Sequence, residues 1–310
     1  MAWRYINPGD SKLINYRGST SKLTDIADTS KSKTRLAYRN TSDSNYCTFA
    51  VLPQNGEYWV KADFYYTATG AYDYLMIYFR DSAGTGVLLR DTSRKNPSAC
   101  YYAGNSVYDL ASVNLKQDSI NTVWVHVKWG EAGTGFLEFR INDTTFEKLQ
   151  EKSFPAPTST MKYLIYTNSY GTAYFSNIII SDEEINIKEQ VVALPVNSTE
   201  TAMTLQSDTY LADSAGQTLL QSVNVGSLIS SFGSDSKVTG IALVGNPAYR
   251  TGEQLSSLTA ISKTGGTVTE YGTSNLSTDS DTVIWQSVPV ASDTTIADLQ
   301  NIQLCWKAGE

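Results

Sequence analysis

One histidine, three cysteines and eight prolines are all that 310 residues offer of those types, and each scarcity excludes something. With His126 alone, no H-E-x-x-H zinc motif can exist. Any Ser/His/Asp or Cys/His mechanism would have to pass through that single imidazole. Cys47, Cys100 and Cys305 are odd in number and lack metal-like spacing, so buried free thiols are expected rather than a disulfide framework. No stretch approaches the roughly 18 apolar residues of a membrane helix. The start, MAWRYINPGDSKL, lacks the basic-then-apolar pattern of a signal peptide, which leaves a cytoplasmic protein, one whose signal has been removed, or one that leaves the cell by another route such as phage lysis. Basic residues are outnumbered 24 to 31, and a net charge of −7 argues against nucleic acid as the main partner.

The charge is unevenly spread. Residues 1–190 hold 20 basic and 20 acidic side chains, whereas 191–310 hold 4 and 11 and so carry the whole −7. Tyrosine divides in the same way, 17 against 3. Two compositions imply two domains: one over 1–187, a linker at 188–200 around Pro195, and a small acidic β-rich domain over 201–310.

What is abundant is alternation. In EYWVKADFYY, Tyr58, Val60, Ala62 and Phe64 form one stripe, and Trp59, Lys61, Asp63 and Tyr65 form the other. YDYLMIYFR divides likewise, with Tyr74, Tyr78 and Arg80 opposite Leu75, Ile77 and Phe79. TVWVHVKW sets Trp124, His126 and Lys128 against valines, and GFLEFRI sets Glu138 and Arg140 against Leu137, Phe139 and Ile141. Side chains alternate across a strand with a period of two, so each segment has one core face and one face for something else. That second face mixes aromatic rings with charge, which suits stacking on sugar rings and bonding to their hydroxyls. WGEAGTGFLEFRIND reads as a hairpin with Gly130, Gly133 and Gly135 in its turn, and INDTTFEK as another turn at Asn142. VNVGSLISSFG reads as one short helix with Asn224 as N-cap and Gly233 at its end. The run from Lys263 to Thr267 (KTGGT) has neither P-loop spacing nor a following helix, and is expected to be a hairpin turn.

The order EYWVKADFYY, YLMIYFRDSAG, TVWVHVKWGEAGTGFLEFRIND and KYLIYTNSYGTAYFSNIIISDEEI resembles the concanavalin A-like lectin/glucanase sandwich in its laminin-G-like form. Phe175, Ser176, Asn177, Ile178, Ile179, Ile180, Ser181 and Asp182 match the closing strand of such families. The resemblance implies an all-β, concanavalin A-like antiparallel sandwich (jelly roll) followed by a second, smaller β-sandwich. The ending ASDTTIADLQNIQLCWKAGE resembles the C-terminal strand pair of small β-domains in phage tail and fibre proteins, with Cys305 where a glycine is usual. That implies a virion or extracellular setting on a tail appendage or bacterial surface assembly.

The expected function is non-catalytic binding of an oligo- or polysaccharide of a bacterial surface, with Trp59, Asp63, Tyr65, Tyr74, Tyr78, Arg80, Trp124, His126, Glu138 and Arg140 as ligand-binding residues. Trp124, Tyr78 and Tyr74 would stack, and Asp63, Arg80, His126 and Arg140 would orient. Tyr101, Tyr102 and Tyr170 are loop candidates at the sandwich edge. Such sites are shallow, so repetition through a homo-oligomer is expected to supply avidity. A glycoside hydrolase or lyase on the same fold would pair Asp63 with Glu138. The Glu-x-Asp-x-x-Glu run of sugar-cleaving relatives is absent, and Asp182, Glu183 and Glu184 sit in a turn. A third reading buries the aromatic face in an interface. No cofactor is expected beyond a structural calcium ion, which the resemblance implies without assignable ligands; the acidic run Thr278–Asp281 reads as an exposed turn.

Overall fold

In the computed structural model, strands are placed along much of the chain. Side chains are described for 56–65, 118–142 and 176–310 apart from Asn246 and Asp281, with a few others such as Tyr5 and Leu115. The chain divides into two compact units, Met1–Val192 and Ala193–Glu310.

The first unit contains β1 (Arg4–Asn7), β2 (Tyr16–Arg17), β3 (Lys22–Asp25), β4 (Leu36–Arg39), β5 (Asn45–Leu52), β6 (Glu57–Thr67), β7 (Tyr74–Arg80) and β8 (Gly86–Thr92). It continues with β9 (Lys95–Ala103), β10 (Ser106–Ser112), β11 (Ile120–Lys128), β12 (Phe136–Ile141), β13 (Glu147–Leu149), β14 (Met161–Thr167) and β15 (Thr172–Ser181). They form two antiparallel sheets, a β-sandwich. One runs β13-β12-β11-β6-β15-β4-β3, with β1 also on β15; the other runs β10-β9-β8-β7-β14-β5-β2. Cys47 lies on β5 and Cys100 on β9, with three strands between them; their side chains lie outside the described residues.

The alternation read from sequence sets the register of the first sheet. Val60, Val125 and Phe139 stand in one row across β6, β11 and β12, and Ile180 of β15 faces Val60. These four are at most 3% exposed, and each contributes about 1.5–3 kcal/mol through burial. Glycines shape the β11–β12 turn as expected: Gly133 has φ 86°, and a Cβ on Gly135 would stand 2.4 Å from the Gly130 carbonyl oxygen. Asn142 closes β12 with φ 55°.

A bulge interrupts β15 where Ser176 faces Asp63 and Ile179 faces Lys61. Asn177, the extra residue, has φ 51°, a left-handed conformation that asparagine tolerates better than most side chains. Its amide ties three segments together. Nδ2 donates to Asp63 Oδ2 (2.6 Å), and Oδ1 accepts from the Val191 backbone N–H (3.0 Å). Thr122 Oγ1 donates to the other Asp63 oxygen at 2.6 Å, and Asp63 itself has no exposed surface.

The second unit contains β16 (Val196–Thr201), β17 (Thr204–Gln206), β18 (Thr209–Leu211), β19 (Thr218–Val223), α1 (Val225–Phe232), β20 (Ile241–Gly245), β21 (Ser257–Thr264), β22 (Thr267–Asn275), β23 (Ile284–Val288), a 3-10 turn (Ala297–Asn301) and β24 (Ile302–Gly309). Five strands form one antiparallel sheet, β16-β19-β24-β21-β22. The β20–β23 ribbon, α1 and the 3-10 turn pack on one face through Leu228, Ile241, Val288 and Leu299 against Val223 and Leu304. Asn224 caps α1 by accepting from Gly226 N–H (3.1 Å), and Gly233 ends it at φ 88°. Gly265 and Gly266, at φ 55° and 87°, make the β21–β22 hairpin turn read from KTGGT. Trp285 lies on β23, which pairs with β20; the 3-10 turn Ala297–Asn301 follows, and β24 runs almost to the end, paired with β19 and β21. The stretch expected as a linker is structured in part. Lys61 bonds to the Glu189 carbonyl, Val191 bonds to Asn177, and 196–201 is an edge strand.

On the other sheet face, Glu200, Leu220, Cys305, Ile261 and Glu270 form one row across all five strands. Lys263 reaches Glu200 (3.0 Å) and Lys307 reaches Glu270 (2.5 Å), which lays both lysine stems along the apolar centre of the row. The hydrogen bonds from Lys263 and then Gln303 hold the Glu200 carboxyl below its usual range. Burial pushes the Cys305 thiol up to about 12, so it behaves as an inert core group, as read from sequence.

Replacing Asn177 by glycine relaxes the left-handed backbone but takes one buried donor from the Asp63 carboxylate and the side-chain acceptor from the Val191 N–H. A loss of about 2 kcal/mol or more in denaturant unfolding is expected; an unchanged midpoint would show that the staple carries no stability. Burial also raises the Tyr58 phenol from 10.0 to about 12. Between those values the unfolded chain has lost that proton and the folded chain still holds it, so stability falls as pH rises from 10 towards 12. Tyr58→Phe should show a shallower alkaline loss than wild type in pH-dependent melts.

Candidate functional site

The aromatic and charged stripes of β6, β11 and β12 do share one face of the first sheet, but most of that face is covered by the chain itself. After β15 the segment 182–192 turns back across it. Trp124 Nε1 donates to the Ile185 carbonyl (2.7 Å), the Lys61 ammonium donates to the Glu189 carbonyl, and Ile185 is 1% exposed. The segment is shaped locally by Ser181 Oγ accepting from Glu183 N–H (3.0 Å) and by Asn186 Oδ1 accepting from Lys188 N–H (2.9 Å).

This corrects three expected roles. Trp124, at 4% exposure with its N–H committed, is a packing residue and not a stacking plane. Asp63 is fully buried and bonded to Thr122 and Asn177, so neither a sugar hydroxyl nor a catalytic partner can reach it. Tyr74, Tyr78 and Arg80 belong to β7 in the other sheet, so they do not share the face of Trp124; their side chains lie outside the described residues. The alternation of β7 and β6 is alike, and nothing in a period of two tells one sheet from the other. Tyr101 and Tyr102 fall within β9 rather than a loop, and Tyr170 lies outside the described residues. Tyr65 and Arg140 are half-buried. Tyr65 stands six residues from Trp59 along β6, about 20 Å at 3.3 Å per residue.

At the open end of the face a compact cluster remains. His126 and Trp59 are direct cross-strand partners, and their rings stack at 4.1 Å with 17° between planes. Phe136 meets the imidazole edge-on at 4.7 Å and Trp124 at 6.1 Å. Both imidazole nitrogens face carboxylates: Nε2 lies 2.7 Å from Glu57 Oε1 and Nδ1 3.1 Å from Glu138 Oε2. Lys128 Nζ stands 3.6 Å from the second Glu57 oxygen. His126 is 8% exposed, while the side chains of Glu138, Glu57 and Lys128 keep 24%, 35% and 46% of their surface in solvent. Trp59 is half-buried.

The cluster thus joins Trp59, His126 and Glu138 from the expected set with two residues not singled out, Glu57 and Lys128. A signal for Glu57 existed. It opens the β6 stripe at the position that pairs with Lys128, and a lone histidine on a charged face calls for carboxylates. Among the described residues, no group of three or more His, Cys, Asp or Glu side chains converges as a metal site requires. Of the TDSD run, residues 278–280 lie at a turn tied by Thr282 Oγ1 donating to the Asp279 carbonyl at 2.8 Å, and Asp281 lies outside the described residues.

No family model matches the chain. No curated protein matches it either. Solved structures similar to it include carbohydrate binding module CBM66 from Bacillus subtilis, with a TM-score of 0.37 and 11% identity over 51% of this chain and 89% of that one. A protein of unknown function with a galectin-like fold, also from Bacillus subtilis, gives 0.41 and 13% over 58% and 94%. Alginate lyase Aly36B gives 0.39 and 13% over 58% and 96%. Likenesses of this extent say nothing about ligand or reaction in this chain.

Trp124→Phe removes one buried hydrogen bond and keeps most of the ring. Stability should fall by about 1 kcal/mol in denaturant unfolding, with the far-ultraviolet spectrum unchanged. No loss would mean that the bond to Ile185 does not hold the covering segment.

Proposed function

We propose that the first unit binds saccharide without transforming it, at the Trp59–His126 cluster. The observation that carries this reading is a half-buried indole, held rigid by a stacked imidazole and rimmed by partly exposed Glu57, Glu138 and Lys128. An aromatic plane flanked by hydrogen-bonding groups suits the apolar face and hydroxyl rim of a sugar ring. The geometry disfavours the hydrolase alternative. Asp63 is enclosed, and the two carboxylates near the surface have His126 between them, where a glycosidic oxygen would need to sit. The interface reading finds its support in the covered part of the face, although the cover there is the chain's own segment 182–192.

We further assign the saccharide to a bacterial surface and the chain to a repeated assembly such as a phage tail appendage. That assignment is supported by the C-terminal sequence resemblance and by the low affinity expected of one shallow site.

A glycan array carrying bacterial capsule and cell-wall polysaccharides tests this with intact protein beside Trp59→Ala and Trp124→Phe. Binding should weaken about tenfold or more in Trp59→Ala, and stay within about threefold of wild type in Trp124→Phe. Silence from folded wild-type protein across the array would sink the saccharide reading. Binding that survives Trp59→Ala would move it to another surface.

A further inference from the structure

On the saccharide reading of this cluster, the groups around Trp59 also decide which sugars it takes. We infer that the site selects uncharged, hydroxyl-rich sugars and rejects acidic ones, with Glu57 and Glu138 as paired acceptors for sugar hydroxyls. Each carboxylate gives one oxygen to His126, through Nε2 and Nδ1 respectively, so the imidazole fixes both in place. Among the described residues, no hydrogen bond engages their second oxygens. Glu57 Oε2 has, among those residues, the Lys128 ammonium at 3.6 Å, beyond hydrogen-bond reach, and both carboxylate side chains are partly in solvent.

An ionised carboxylate accepts hydrogen bonds and cannot donate them. Whatever meets Glu57 and Glu138 must therefore bring donors. A hexose brings O–H groups, and bonds from a hydroxyl to a charged acceptor are among the stronger ones. A uronic acid or phosphosugar brings a second anion, which repels at the same distance where the hydroxyl attracts. Of the described side chains, Lys128 is already set against Glu57, and the imidazole is enclosed between the two carboxylates beneath Trp59. Lys148, opposite Glu138 in the strand register, has its side chain outside the described residues.

The test pairs polymers that differ at C6 alone: glucan with glucuronan, mannan with polymannuronate, and galactan with polygalacturonate. Each is titrated calorimetrically into the intact chain. In whichever pair binds, the neutral member should be about tenfold tighter or more, and added salt should narrow the gap. Glu138→Gln, which keeps the shape and removes a charge, should raise affinity for the uronate and bring the two within about threefold. Equal or tighter binding of a uronate by wild type overturns the inference while leaving saccharide binding intact. Failure of all six polymers, with the protein folded, overturns the saccharide reading and this inference together.

Discussion

A carboxylate shut away from water must be surrounded by donors, and Asp63 imposes that requirement on three segments at once. Its two oxygens take Thr122 from β11 and Asn177 from the β15 bulge, and Asn177 passes the constraint on by accepting from Val191. The bulge is what turns the Asn177 amide towards both partners, and a left-handed residue is what makes the bulge. From there the segment 182–192 is committed to cross the sheet, where it meets Trp124 and Lys61. A polar network in the middle of the sheet therefore decides which end of the face stays open. Breaking such a network leaves a stranded charge, so it specifies a single arrangement more strongly than apolar packing would.

The strands were legible because period-two alternation is a local signal. So were the glycine turns at 130–135 and 265–266, and the Asn224 cap of α1, each of which follows from backbone chemistry within a few residues. Sheet membership was not legible. β6 and β7 follow one another and alternate alike, yet they enter different sheets, because pairing is decided by partners distant in sequence. The fate of the two face tryptophans was hidden for a related reason. Trp59 and Trp124 look equivalent until residues 182–192 are laid over one of them, some sixty positions downstream. Covering requires only backbone carbonyls at the right height, and any sequence supplies those. Aromatic and charged residues on a strand therefore describe a face that must be satisfied, either by a ligand or by the chain.

In the second unit, long side chains reach across a sheet. Leu220, Cys305 and Ile261, between Glu200 and Glu270 in one row, are at most 9% exposed. The stems of Lys263 and Lys307 shield them while their ammonium groups stay at the rim with Glu200 and Glu270. As exposed ion pairs these contacts are worth little by Coulomb attraction, and their value lies in the methylenes they lay over the apolar row.

His126 is the only imidazole in 310 residues, and it stands at the centre of the open cluster, stacked on Trp59. The chain therefore carries its own label. A proton spectrum of the intact protein contains one set of imidazole signals, assigned by inspection because nothing else can give rise to it. Those signals feel the ring current of Trp59 and the state of both carboxylates. A molecule arriving at the cluster would shift them, whereas one settling elsewhere on either unit would leave them in place.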